Sequence, residues 1–216
     1  PGAPVGHVFY IGHDFFTRSD AIDAILGNAV ALDMSRTEIR VLAYVQYANA
    51  TEGREADASD DAIRARLSQL GYSVVIDRFA NYTLLDTMLD GYDVLLVYEQ
   101  SFGGISNMIT VGQEWRNTVE TFVDRGGTFI VLDHLGDSWR LLNATGHIRA
   151  GSSSTVANGV DLSHASTASP VLADVPNPYP SLSGTRYLNL SADNAPEVTP
   201  LVVTPSSQPV VIHRRY

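Results

Sequence analysis

Two apolar runs decide the fold: Asp93-Val-Leu-Leu-Val-Tyr98, broken by Glu99-Gln100-Ser101, and Gly127-Thr-Phe-Ile-Val-Leu132, broken by Asp133-His134. Between them the pattern is helical, with Trp115, Val119, Phe122 and Val123 on one face of a helix expected over Gln113 to Asp124. Uninterrupted apolar runs around a helix read as parallel strands covered on both faces, which places their carboxyl ends along one edge of a sheet. Ligands of open α/β sheets bind at that edge.

Working outward, His7-Val-Phe-Tyr-Ile11 reads as a strand that breaks at Gly12-His13-Asp14. A helix capped by Ser19 follows, with Ile22, Ile25, Leu26, Ala29 and Val30 inward. Ile39 to Val45 is a second strand, and a helix is expected from about Ser59 with Ile63, Leu67 and Leu70 inward, stopped by Gly71. Ser73 to Ile76 gives another strand, Leu84 to Leu89 a short helix, and Asp137 caps a last helix that Gly146 ends. Strands alternating with helices predict an α/β, doubly wound, mainly parallel flavodoxin-like sheet.

The character changes after residue 146, since eight of the ten prolines lie beyond position 169 and the helical period is lost. Arg186 to Leu190, Val198 to Val203 and Val210 to Arg214 read as short antiparallel strands, the last two joined as a hairpin. The expectation is a core over 1–146 and a Pro-rich C-terminal antiparallel β extension over 147–216 that adds to the same sheet within a single domain. An unpaired edge at Arg214-Arg-Tyr216 would offer a route to a homodimer through an edge strand.

Composition removes several kinds of chemistry. The 216 residues carry a formal charge of -10, and the arginines are scattered, so no nucleic acid is expected as a partner. All 14 basic residues are Arg, which leaves no lysine for a Schiff base, and with no cysteine there is no thiolate nucleophile, disulfide or thiolate metal site. No apolar run reaches the roughly 20 residues of a membrane helix, so no membrane span is expected. The start Pro1-Gly-Ala-Pro4, without an initiator Met, reads as a processed end and favours an extracytoplasmic location over a cytoplasmic one.

Three pieces of the chain together carry a resemblance: Leu70-Gly-Tyr-Ser-Val-Val75, Leu89-Asp-Gly-Tyr-Asp-Val-Leu-Leu-Val97 and Phe122-Val-Asp-Arg-Gly-Gly-Thr-Phe-Ile-Val131. In their order and character they resemble the class I glutamine amidotransferase-like superfamily, in the branch of trehalose-utilisation-type proteins. The resemblance covers roughly residues 38 to 146 and leaves the segment Val8 to Leu32 as an addition. Catalytic members of that superfamily hold a Cys in a Gly-x-Cys-x-Gly turn after the glycine-pair strand. Here the turn reads Leu132-Asp-His-Leu-Gly136, where only Gly136 matches, and no late His-x-Glu follows, because His164 precedes Ala165 and His213 precedes Arg214. The resemblance therefore implies the fold and the place of the pocket, without a cysteine-dependent glutaminase and without any transferred catalytic residue.

Parallel strands put His13 and Asp14, Gln46, Glu99 and Gln100, and Asp133 and His134 near one crevice. Candidate catalytic residues are His13, Glu99, Asp133 and His134, and candidate metal ligands are His13, Asp133 and His134. Asp14, Gln46, Gln100, Ser101, Gly103 and Gly104 are candidate ligand contacts, the two glycines because they let a ligand approach the backbone. Polar residues at strand ends also serve simply as caps and turns, and both readings stay open. No cofactor is expected, with a divalent metal as the alternative. Two functions follow: a non-catalytic domain binding a small polar ligand or a protein at this edge, or a hydrolase, metal-assisted or not, acting there on a polar or sugar-like substrate. A third reading, an extracytoplasmic structural module of a larger assembly, would be favoured by an exposed apolar patch.

Overall fold

The computed structural model describes residues 5–135, 137–166 and 168–216. Pro1 to Pro4 and Gly136, including the one motif glycine named above, lie outside them. Eleven strands and five helices follow in the order β1 (His7–Ile11), α1 (Asp20–Ala31), β2 (Glu38–Tyr44), α2 (Glu55–Gln69), β3 (Ser73–Phe79), α3 (Leu85–Met88), β4 (Val94–Val97), α4 (Gly104–Asp124), β5 (Thr128–Leu132) and α5 (Ser138–Thr145). The late region adds β6 (Ala150–Thr155), β7 (Asp161–His164), β8 (Tyr179–Pro180), β9 (Arg186–Leu190), β10 (Val198–Val203) and β11 (Pro209–Arg215).

Nine strands form one sheet in the order β3-β2-β4-β5-β1-β11-β10-β7-β8. The first five are parallel neighbours, and β11, β10, β7 and β8 continue the sheet antiparallel. Without β1, the strands β3-β2-β4-β5 follow a flavodoxin-like order with one position still to fill, and β1 fills it. The leading segment left unexplained by the resemblance is thus the middle of the sheet.

Alternation along each strand sends successive side chains to opposite faces. Phe9, Ile11, Ile130 and Leu132 meet α1 and α2 through Ile22, Ile25, Leu26, Ile63 and Leu67. Val8, Tyr10, Phe129 and Val131 meet α4 and α5 through Trp115, Val119, Phe122, Leu141 and Leu142. The two faces make the two layers of core that a doubly wound sheet requires.

Several expectations change. The helix expected from Ser59 begins at Glu55, and Leu70, expected inward, caps that helix and is 40% exposed. The helix expected from Gln113 begins at Gly104, so Met108 and Val111 join its buried face. The strand Arg186 to Leu190 does not extend the main sheet but pairs with β6 in a separate two-stranded ribbon, its register shifted at Ala150/Ser152. The serine-rich β6 has no apolar alternation to announce it. The terminal hairpin is not an edge either, because β11 lies between β1 and β10, and the sheet ends at β3 and β8.

Candidate functional site

Strand register sets the floor of the site. Ile11 pairs with Leu132, and Val131 pairs with Val97, so the residues that follow β1, β4 and β5 leave the sheet side by side. After β1 the chain crosses to α1 on one face, whereas after β5 it crosses to α5 on the other. Adjacent strands whose connections diverge open a crevice at their carboxyl ends.

Three side chains converge there. Asp14, Glu99 and His134 each offer one ligating atom within 4.8 Å of the others. The Asp14 carboxylate accepts from the Phe16 backbone N–H at 2.8 Å and from the Thr17 hydroxyl at 3.2 Å, which holds the loop and the carboxylate together. Glu99 accepts the Ser101 hydroxyl at 2.9 Å and the Leu135 N–H at 3.0 Å, both on Oε1. His134 sets its Nδ1 3.0 Å from the Gly184 carbonyl, so that nitrogen carries the proton and Nε2 faces the carboxylates, 3.6 Å from Asp14 Oδ2. Burial raises the Glu99 carboxyl above its ordinary pKa, opposed by the nearby His134 and by its hydrogen bonds from Ser101 and Leu135.

His13 and Asp133 stand next to this cluster without entering it. By strand alternation His13 points to the α1 face, where Nε2 meets the Tyr179 hydroxyl at 2.9 Å, and burial pushes its pKa down to about 3. Asp133 points to the opposite face, wholly buried, and accepts from the Tyr10 hydroxyl at 3.2 Å, with Arg186 Nε 3.7 Å away. Burial pushes its carboxyl up to about 7, against Arg186 and the Tyr10 hydrogen bond. The candidate metal set His13, Asp133 and His134 is therefore corrected: neighbouring residues in an extended chain point apart, and the convergent set is Asp14, Glu99 and His134.

The candidate ligand contacts separate in the same way. Gln100 is fully buried, donating Nε2 to the Tyr98 and Tyr44 carbonyls at 2.8 and 3.1 Å while Oε1 accepts the Tyr47 N–H at 3.1 Å. Gln46 accepts from the Tyr44 hydroxyl and the Tyr82 N–H. Both glutamines pin loops to the sheet; the Gln100 amide is wholly occupied by protein partners, and Gln46 commits its Oε1. Gly103 packs against Met108, and Gly104, at φ 64°, opens α4. Ser101 remains at the cluster through Glu99.

Sequence reading missed three contributors from the late region. Gly184 supplies the carbonyl that orients His134, Arg186 donates to the His134 carbonyl at 3.2 Å, and Ser153 accepts from Arg186 Nε at 2.8 Å. Only the turn signal of Ser183-Gly184 marked the place, and nothing linked it to residue 134. An apolar rim was missed as well: Phe16, Phe102, Ile105 and Leu135, between 46% and 71% exposed, stand on the loops and helix start that carry the cluster. Two surface hollows of about 430 and 440 Å³ lie elsewhere, one at the opposite edge around Asp33, Arg36 and Asp93, the other beside Arg116, His147 and Arg214. The first contains the Arg36–Asp93 ion pair, whose charges already satisfy each other.

No family model matches the chain, and no curated protein matches it. Solved structures similar to it include a ThuA-like protein from Bacteroides uniformis, 14% identical with a TM-score of 0.49, over 77% of this chain and 67% of that one. Another is PurLQS from Thermotoga maritima, 12% identical with a TM-score of 0.48, over 80% of this chain and 77% of that one.

Proposed function

We propose that this chain is an amidotransferase-like domain without the nucleophilic cysteine, which binds a small polar ligand at the carboxyl edge between β4, β5 and β1. The observation that carries this reading is the convergence of Asp14, Glu99 and His134 from three separate strand ends to within 4.8 Å. Such a set presents carboxylate acceptors and one imidazole nitrogen to a ligand rich in hydroxyl or amino groups. The rim of Phe16, Phe102, Ile105 and Leu135 adds apolar faces, so the ligand combines polar groups with an apolar flank, as a sugar ring does.

The test is a ligand-observed NMR screen of monosaccharides, sugar acids and amino sugars against the wild-type chain and its Glu99→Gln variant. The reading expects hits that weaken in the variant. Hits equally strong in the variant, or no hits, would count against it. A second reading, hydrolysis of a sugar derivative, is favoured by one feature: the buried Glu99 carboxyl, of raised proton affinity, lies beside an imidazole. Turnover of a chromogenic glycoside or ester panel, abolished by Glu99→Gln, distinguishes the two.

A further inference from the structure

Among the described residues, Asp14, Glu99 and His134 are the one group of three or more His and acidic side chains whose donor atoms converge. Convergence alone would not distinguish a cation site from a hydrogen-bonded cluster. A second observation does so: Glu99 and His134, both little exposed, each commit one polar atom to the protein and leave the other without a hydrogen bond among the described residues. Glu99 is 5% exposed, both of its hydrogen bonds fall on Oε1, and among the described residues nothing bonds to Oε2. His134 is 9% exposed, with Nδ1 committed to the Gly184 carbonyl and Nε2 3.6 Å from Asp14 Oδ2, just beyond hydrogen-bond distance. Neither Glu99 Oε2 nor His134 Nε2 is sealed from solvent, so both are open to a cation entering the crevice.

We infer that Asp14, Glu99 and His134 form the protein half of a site for a divalent transition cation of the zinc type, and that this cation anchors the polar ligand. The inference rests on the binding reading given above and adds the chemistry of the anchor. One imidazole nitrogen and two carboxylate oxygens are a donor set suited to zinc and its neighbours, whereas calcium and magnesium favour oxygen donors throughout. Three protein ligands leave a fourth position open for a hydroxyl, amine or carboxylate of the ligand.

The outer contacts are those of a metal-binding imidazole. A ligating His typically donates its other ring N–H to a carbonyl or carboxylate, and here Nδ1 meets Gly184. Each carboxylate is likewise held by hydrogen bonds from its own loop, Asp14 by Phe16 and Thr17, Glu99 by Ser101 and Leu135. Tetrahedral zinc with bonds of about 2.0–2.1 Å keeps its ligand atoms about 3.4 Å apart. The Asp14–His134 pair, at 3.6 Å, is already near that separation. The remaining closure, at most about 1.4 Å from the 4.8 Å limit, falls within side-chain rotation.

The test is calorimetric titration of the chelator-treated full chain with zinc and with manganese, alongside the visible spectrum of the cobalt(II) form. The inference expects one cation per chain and cobalt bands of low-coordinate intensity. It also expects at least a tenfold loss of affinity in both Glu99→Gln and His134→Ala, with His213→Ala, far from the site, unchanged. Near-ultraviolet circular dichroism establishes that the variants are folded. If either fails to fold, the wild-type cobalt spectrum decides alone, because octahedral, aquo-like bands would overturn the site. Absence of stoichiometric binding, or binding retained in both folded variants, overturns it too. Sugar-type NMR hits that persist without any cation would overturn the metal while leaving the binding reading intact. Cation binding without such hits would do the reverse.

Discussion

Gly184 and His134 fit each other so closely that a single methyl group would separate them: a Cβ on Gly184 would overlap the imidazole ring whose Nδ1 meets the Gly184 carbonyl at 3.0 Å. The glycine sits at φ 81°, a backbone conformation that L side chains rarely adopt. A late loop of the chain thereby fixes the orientation of His134, the second residue past β5.

Gly184→Ala should therefore disturb the site more than the fold. Strain at the left-handed position costs roughly 1–2 kcal/mol, and the displaced ring should lower affinity for the cation or the polar ligand about tenfold or more. Urea denaturation and binding titration on one preparation measure both; unchanged binding would detach Gly184 from the site.

Gln100→Ala should show the opposite balance. It removes the partners of the Tyr98 and Tyr44 carbonyls and of the Tyr47 N–H, all tied to a fully buried amide. Leaving such groups unpaired should cost about 3 kcal/mol, seen as a lower midpoint in urea. Equal stability to wild type would show that water replaces those bonds and that Gln100 is no structural pin.

Phe102→Ser and Leu135→Ser should leave stability within about 0.5 kcal/mol, because both side chains already face solvent. They should weaken ligands with an apolar flank while sparing cation binding. Paired NMR and calorimetric titrations compare the two effects.

Acid should destabilise the protein through His147, whose pKa burial pushes down to about 4, helped by Arg214 and Arg116. The unfolded imidazole titrates near 6.5, so the unfolded chain binds the extra proton first. The contribution is whole above about pH 6.5 and is lost as pH falls toward 4, amounting to up to about 3 kcal/mol. His147→Phe keeps a ring against Phe129 and should flatten that part of the stability profile between pH 7 and 4. A profile as steep as wild type would assign the acid sensitivity to other groups, such as His213, also pushed down to about 4 by burial.

The parallel half of the fold was legible because its signals are local. Val94 to Val97 and Phe129 to Leu132 are covered on both faces and read as unbroken apolar runs, and Ser19 marks the start of its helix. The start of α4 was not legible, since Gly103-Gly104 reads as a turn and no side-chain cap announces the helix. Strand β6, Ala150-Gly-Ser-Ser-Ser-Thr155, carries no alternation at all. In the site, the three strand ends were visible as polar breaks. Which member of each His-Asp pair turns inward was not, because pleat parity beyond the last paired residue depends on how the loop leaves the strand. That choice sends His13 to Tyr179 and Asp133 to Tyr10, and leaves Asp14 and His134 to meet.

The position of β1 also bears on how the molecule is made. Val8 to Ile11 are wholly buried, and His7 is in register with Thr128 on one side and Arg215 on the other. On a ribosome this apolar strand emerges before either of its neighbours has been synthesised. Its hydrogen-bonding edges stay open until β5 appears, and the second closes only with β11. Such long-range pairing makes for slow folding and a lengthy exposure of sticky backbone. A nascent chain of this design gains most from a chaperone that shelters β1 until β11 has been translated.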